Sequence, residues 1–233
     1  MDNIKLTRGE GAGILLAVLL SASAGAVDTI GYLQFDRVFA ANMTGNTAFF
    51  ASDLVAAQFA KAVQHLLPIV AFLVGVVVSR FALMRQDQPN WPKIGVRLIL
   101  ISGLWTILAV LIPNLGSILI PVLSFSMGAQ NATLTQVEKV PVNTAFITGN
   151  LEKLGEAIAS LFRKPGNRND QFKLRAVGSI WIGYGVGAAG GALAALHFGR
   201  YSLLLPAGVL CLSALLVFVT HFRRSLELAS PNG

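Results

Sequence analysis

Long runs without charge alternate with short charged segments along this chain, and their spacing predicts the elements. Residues 12–35 form an apolar run holding one charge, Asp28, and residues 62–79 form a second, charge-free and rich in Val and Leu. Residues 98–137 carry no charge at all. As one helix they would reach about 60 Å, twice the hydrocarbon thickness of a bilayer. Pro113-Asn114-Leu115-Gly116 is a turn signal near the middle, so the stretch predicts two helices, 98–112 and 117–137. Residues 176–196 and 201–220 supply the last two runs. The pattern predicts an all-α, polytopic membrane protein with six transmembrane helices in a single membrane domain, residues 1–233.

Composition agrees with that pattern. Of 233 residues 54% are hydrophobic and 12% charged, whereas a soluble domain carries about 25% charged residues. A soluble core of this size could not hide so much apolar surface, which excludes an ordinary globular protein, a disordered chain and a disulfide scaffold. Cys211 is alone, and no His/Cys cluster has the spacing of a metal site. No metal and no cofactor is expected.

The net charge of +7 would suggest nucleic acid if it were clustered, but the basic residues lie between the apolar runs, where they set orientation. With six spans and the N-terminus inside, 15 Lys and Arg fall on the cytoplasmic side and 3 (Arg37, Lys61, Arg200) on the other. Counting 38–59 and 141–162 as two further spans would reduce this bias to 10 against 7 and bury Lys153. Six spans are therefore expected, with both termini cytoplasmic and the two extra segments lying shallow or entering and leaving on one side. Lys5 and Arg8 before an apolar run, with Ser21-Ala22-Ser23-Ala24, imitate a signal peptide. The run is too long for one, and five more spans follow. The basic segment 163–175 is expected to be a cytoplasmic loop touching lipid headgroups; no nucleic acid is expected as partner.

The chain also resembles itself. Thr44-Gly45-Asn46 is matched by Thr148-Gly149-Asn150, Gly25-Ala26-Val27-Asp28 by Gly128-Ala129-Gln130-Asn131, and Phe72-Leu73-Val74-Gly75 by Tyr184-Gly185-Val186-Gly187. The halves run from 11 to 113 and from 114 to 222. With three spans in each, the second must insert upside down, giving a 3+3 inverted repeat with a broken or re-entrant Thr-Gly-Asn segment in each half.

The run from Ala24 to Asp28, the stretch from Phe39 to Thr47 with its Asn-Met-Thr-Gly-Asn, and Thr148 to Leu151 together resemble the YoaK-like bacterial membrane proteins (domain of unknown function 1275). The resemblance covers nearly the whole chain. It implies a small multi-pass protein of the bacterial inner membrane with about six helices, and supplies no substrate, reaction or cofactor.

Thr and Asn are good helix N-caps, so each Thr-Gly-Asn predicts a break followed by a short helix, 47–55 and 151–162. Inversion would bring both helix starts to the midplane, where unpaired N–H groups receive polar oxygens. Thr44, Gly45, Asn46, Gln130, Asn131, Thr148, Gly149 and Asn150 are the candidate substrate-binding residues. A surface helix at the headgroups is the plainer alternative. Asp28, deep in an apolar run, costs about 2.5–3.5 kcal/mol to insert and is the candidate ion-coupling carboxylate. Its alternative role is to cap a helix break near Thr44 or Asn46. Gly183, Gly187 and Gly191 form one face of a span, expected to serve internal packing. His65 and His197 are expected at the interface.

The function expected is a secondary transporter or channel-like permease for a small polar or anionic solute, coupled to protons or cations. The alternative is a non-transporting interaction or assembly protein. No catalytic residue is assigned and no enzyme is expected, since no nucleophile with a base reaches membrane depth. Partners are membrane lipids and a small-molecule solute, and a homodimer is compatible with the sequence.

Overall fold

The computed structural model describes residues 8–84, 91–112, 118–137, 140–163 and 167–229. The turn at 113–116 and the basic residues Lys5, Arg85, Lys139 and Lys164 lie outside them. The helices are α1 (Arg8–Gln34), α2 (Met43–Val55), α3 (Phe59–Met84), α4 (Trp91–Leu111), α5 (Leu119–Asn131), α6 (Ile147–Arg163), α7 (Arg168–Phe198) and α8 (Leu204–Ala229). A 3-10 turn, Gly199–Leu203, joins α7 to α8.

Among the described residues three stretches are long and apolar enough to cross a membrane: Gly11–Gln34, Phe59–Ala82 and Arg168–Val219, the last 52 residues long and holding α7 and most of α8. On α3, Val63, Leu67, Val70, Val74, Val77 and Phe81 are exposed at helical spacing. In water this stripe would drive association; in a bilayer, lipid covers it.

α1 is the central helix. Leu16, Leu20, Ala24, Val27 and Ile30 are buried on it, and α7, α8 and α5 pack around it. α1 lies mainly on α7, α3 on α5 and α4 on α8, while α2 lies on α3 and α6 on α7. The tightest crossings are made by glycine. A Cβ on Gly183, Gly187 or Gly191 would run into Val18, Ala22 or Ala26, so this face seats α7 on α1. A Cβ on Gly25 would meet the Tyr184 carbonyl, and one on Gly128 the Phe72 carbonyl.

Three elements depart from the sequence reading. The helix expected over 117–137 ends at Asn131. The chain then forms a two-residue antiparallel ladder, Gln136–Val137 against Val140–Pro141. At 13 residues α5 rises about 20 Å, short of the hydrocarbon thickness. The basic segment 163–175 is largely helical, because Asn167 Oδ1 accepts from Asn169 N at 3.1 Å and starts α7 early. His65, expected at an interface, is buried, with its ring 2.8 Å from the Asp53 carboxylate, tying α3 to α2.

α6 is held on α7 by Lys173 Nζ donating to Glu156 at 2.6 Å. That ammonium keeps the exposed Glu156 carboxyl below the usual carboxylate range.

Candidate functional site

Between α1 and α2 the backbone leaves helical geometry, and its polar groups need partners. Asp36 and Arg37 take left-handed φ values of 50° and 64°, which turn the chain back. Asn46, fully buried in the first turn of α2, then clamps the strand-like segment behind it. Its Oδ1 accepts from Phe39 N at 2.9 Å and its Nδ2 donates to Phe39 O at 2.7 Å. The cap of α2 is Asn42, whose Oδ1 accepts from Gly45 N at 3.1 Å. Thr-Gly-Asn is therefore the first turn itself and not the cap. Gly45 is there because the Phe39 ring lies where a Cβ would be, and Gly149 is pressed in the same way by the Phe146 ring.

Asp28 reaches this break from α1. Its Oδ1 accepts from Ala41 N at 2.6 Å and Asn42 N at 3.1 Å. Its Oδ2 accepts from the Tyr184 hydroxyl at 2.8 Å, a contact from the other half of the chain. The carboxylate, 2% exposed, thus holds three donors. The alternative role named for Asp28, bonding the break before α2, is its observed contact.

The second break repeats the clamp. Asn150 Oδ1 accepts from Asn143 N at 3.4 Å and its Nδ2 donates to Asn143 O at 2.5 Å, the same seven-residue reach. The capping differs. Here Asn143 Oδ1 accepts from Ala145 N at 3.0 Å and Phe146 N at 2.6 Å, serving from within the break the donors that Asp28 serves from α1 in the first half. Asn131, the residue matching Asp28, is released from that task. Its Oδ1 accepts from Thr144 Oγ1 at 3.4 Å.

The two breaks meet at one cavity of about 230 Å³. Its polar wall is Asn42, Thr44, Asn131, Asn143, Thr148 and Tyr184, with Phe72 and Phe146 among the apolar part. Of the candidate residues, Thr44, Asn131 and Thr148 line it. Asp28 stands behind the wall, one hydrogen bond from Tyr184. Asn46 and Asn150 are buried as clamps, and Gly45 and Gly149 lie against rings. Gln130 is in the core, its Nε2 donating to Leu20 O at 2.9 Å. Sequence reasoning missed Asn42, Asn143 and Tyr184. The last was legible as a mismatch, since Tyr184 aligns with Phe72 across the repeat. Among the described residues no group of three His, Cys, Asp or Glu side chains is placed to hold a metal.

The family described as "Protein of unknown function (DUF1275)" matches residues 16–216. The chain belongs to this family. Over 201 residues it is 28% identical to the UPF0700 transmembrane protein YoaK of Bacillus subtilis (strain 168), covering 82% of this chain and 88% of that one. Over 221 residues it is 28% identical to the UPF0700 transmembrane protein RA0705 of Rhizobium meliloti (strain 1021), covering 93% and 89%. No solved structure matches significantly. With transmembrane relatives along nearly its whole length and apolar helices of spanning length, the chain is a membrane protein.

Proposed function

We propose that the protein is a secondary transporter or channel-like permease for a small polar or anionic solute, with both termini in the cytoplasm of a bacterial inner membrane. The reading takes α1, α3, α4, α7 and α8 as spans and α5, which rises only about 20 Å, as a sixth that crosses together with the non-helical residues 132–137 after it, in two inverted halves with α2 and α6 as short re-entrant or interfacial helices. The observation that carries it is that Thr44 and Thr148, from the two Thr-Gly-Asn segments, line one cavity. Two features support the repeat. The packing partners exchange between halves, α1 on α7 as α5 on α3, and α1 on α8 as α5 on α4. The Asn46 and Asn150 clamps have the same reach and polarity. Inverted halves that meet at broken helices are how many secondary transporters build a solute site.

Asp28 is the coupling carboxylate in this reading. It is the one acidic or basic side chain of Gly11–Gln34, and such acids mark ion or proton paths. The test is uptake into proteoliposomes of a panel of small anions and neutral metabolites, with and without a pH gradient. Uptake of at least one probe above protein-free vesicles is expected. Permeability equal to that of empty vesicles across the panel would favour a non-transporting assembly protein instead.

A further inference from the structure

Resting on that transport reading, the hydrogen bonds around the cavity narrow its solute and connect it to Asp28. An Asn amide offers two hydrogens on Nδ2 and one acceptor, Oδ1. For each of the three asparagines on the wall, Oδ1 is already taken by the protein: Asn42 by Gly45 N, Asn143 by Ala145 N and Phe146 N, Asn131 by the Thr144 hydroxyl. Backbone N–H groups only donate, so the amides of Asn42 and Asn143 are fixed in orientation. Asn143 Oδ1, with two donors, is filled, and Asn42 and Asn131 keep one lone pair each, while all three Nδ2 groups have no protein partner among the described residues, so free hydrogens outnumber free lone pairs on these amides. Among the described residues no Lys, Arg, His, Asp or Glu lines the cavity. Amides with more hydrogens than lone pairs to offer, and no fixed charge beside them, suit a solute rich in acceptors, such as a small carboxylate or oxoanion.

Tyr184 is the exception, and its polarity is set from behind. While Asp28 is ionised, the Tyr184 O–H donates to Oδ2, so only phenol lone pairs remain for the cavity. A proton arriving on Asp28 Oδ2 reverses the bond. Asp28 O–H then donates to the phenol oxygen, and the Tyr184 hydrogen is released for the solute. Oδ1 keeps its two backbone donors in both states, and no covalent bond is broken other than the exchange of that proton. We propose that Tyr184 is a relay by which Asp28 lets the cavity hold a small anion together with one proton.

Electrostatics points the same way. An anion and an ionised Asp28 would be two like charges at close range in a medium of low dielectric, which is strongly unfavourable. Adding the proton removes the conflict. The other ionisable groups on the surrounding elements have partners of their own or face outward: His65 of α3 and Asp53 of α2 pair at 2.8 Å, and on α6 Lys153 donates to Pro141 O, Glu156 pairs with Lys173 and Glu152 is exposed. α5 has none, α8 has only Cys211 from Leu204 to Thr220, and Arg200 of the 3-10 turn is spent on the Val110 and Ile112 carbonyls. On α7, Arg175 is nine residues from Tyr184, about 14 Å of helix rise. Tyr184 is a positioning residue for the coupling, and its partner in the other half, Phe72, has no hydroxyl to play the part.

The test uses the full chain in proteoliposomes, with formate, acetate, nitrate and inorganic phosphate as anionic probes and urea and glycerol as neutral ones. The wild type is expected to accumulate at least one anion when the outside is acid. Tyr184→Phe, which places here the ring already present at position 72, is expected to pass the same anion with its acid stimulation reduced about tenfold. Asp28→Asn donates to the phenol permanently. It is expected to admit the anion equally at acid and alkaline pH and to lose accumulation. A Tyr184→Phe variant with an unchanged pH profile overturns the relay. Preference for urea or glycerol over every anion overturns the solute class. A wild type no more permeable than empty vesicles instead overturns the transport reading beneath both.

Discussion

Asn46→Ala is the sharpest test of how the breaks are held. The substitution deletes two hydrogen bonds, at 2.9 Å and 2.7 Å, made to the backbone of Phe39 by a side chain with no solvent exposure. Side-chain hydrogen bonds in membrane proteins average about 0.6 kcal/mol, so simple loss of two predicts about 1.2 kcal/mol. That figure assumes the freed groups find new partners. Here the Phe39 N–H and C=O lie in a non-helical segment walled in by stacked rings, Tyr32 on Phe39 at 5.6 Å and Phe39 on Phe49 at 6.3 Å. An orphaned polar group costs about 1–3 kcal/mol, so the two together predict about 2–6 kcal/mol, roughly a 30- to 25,000-fold change in the folding equilibrium. Equilibrium unfolding in mixed micelles, followed by tryptophan fluorescence, measures it. Asn150→Ala, which frees Asn143 N and O, belongs in the same range. A loss of less than about 1 kcal/mol in both variants would refute the clamp as the element that fixes the breaks.

Other outcomes follow from neighbouring contacts. Gly187→Ala drives a methyl into the Ala22 carbonyl and is expected to cost about 1–3 kcal/mol, while Gly185→Ala, with open space around it, leaves the thermal midpoint unchanged. Asn143→Asp keeps the acceptor that caps Ala145 and Phe146 but replaces a cavity donor with a carboxylate, so thermal stability stays near wild type while anion uptake is lost; equal uptake would count against the donor wall. Glu156, held below the usual carboxylate range by Lys173, is ionised at neutral pH, and its tie to α7 is fully present above that range and lost as pH falls to the group's own lowered value beneath it. Hydrogen exchange over Ile147–Arg163 should therefore quicken in acid, and Lys173→Ala should quicken it already at neutral pH.

Much of the fold was written in hydropathy. The long helices α1, α3, α7 and α8 sit on the apolar runs, and the Gly183, Gly187 and Gly191 face packs inside the molecule as its spacing suggested. The end of α5 was not legible by that means, because residues 132–137 stay uncharged after the helix has stopped. The β-branched alternation of Thr133, Thr135 and Val137 was the available hint. Both Thr-Gly-Asn sites were found, yet their role was misread. Asn is a good cap, but Asn42 caps α2 ahead of Asn46, and α6 already begins at Ile147, ahead of Asn150. The hydrogen bond from Tyr184 to Asp28 joins residues 156 apart and could not be read from local pattern. It exists because Gly25 lets α7 approach α1 at Tyr184.

The single hydroxyl that distinguishes Tyr184 from Phe72 has a consequence for how a guest sits. A chamber walled by two near-copies of one turn offers any occupant two poses of almost equal energy, related by a half rotation. One hydrogen bond available on one side only, worth about 0.5–1.5 kcal/mol, populates one pose roughly 2- to 12-fold over the other. In the transport reading, a lopsided guest held in that one pose would lead with the same end at both faces of the membrane.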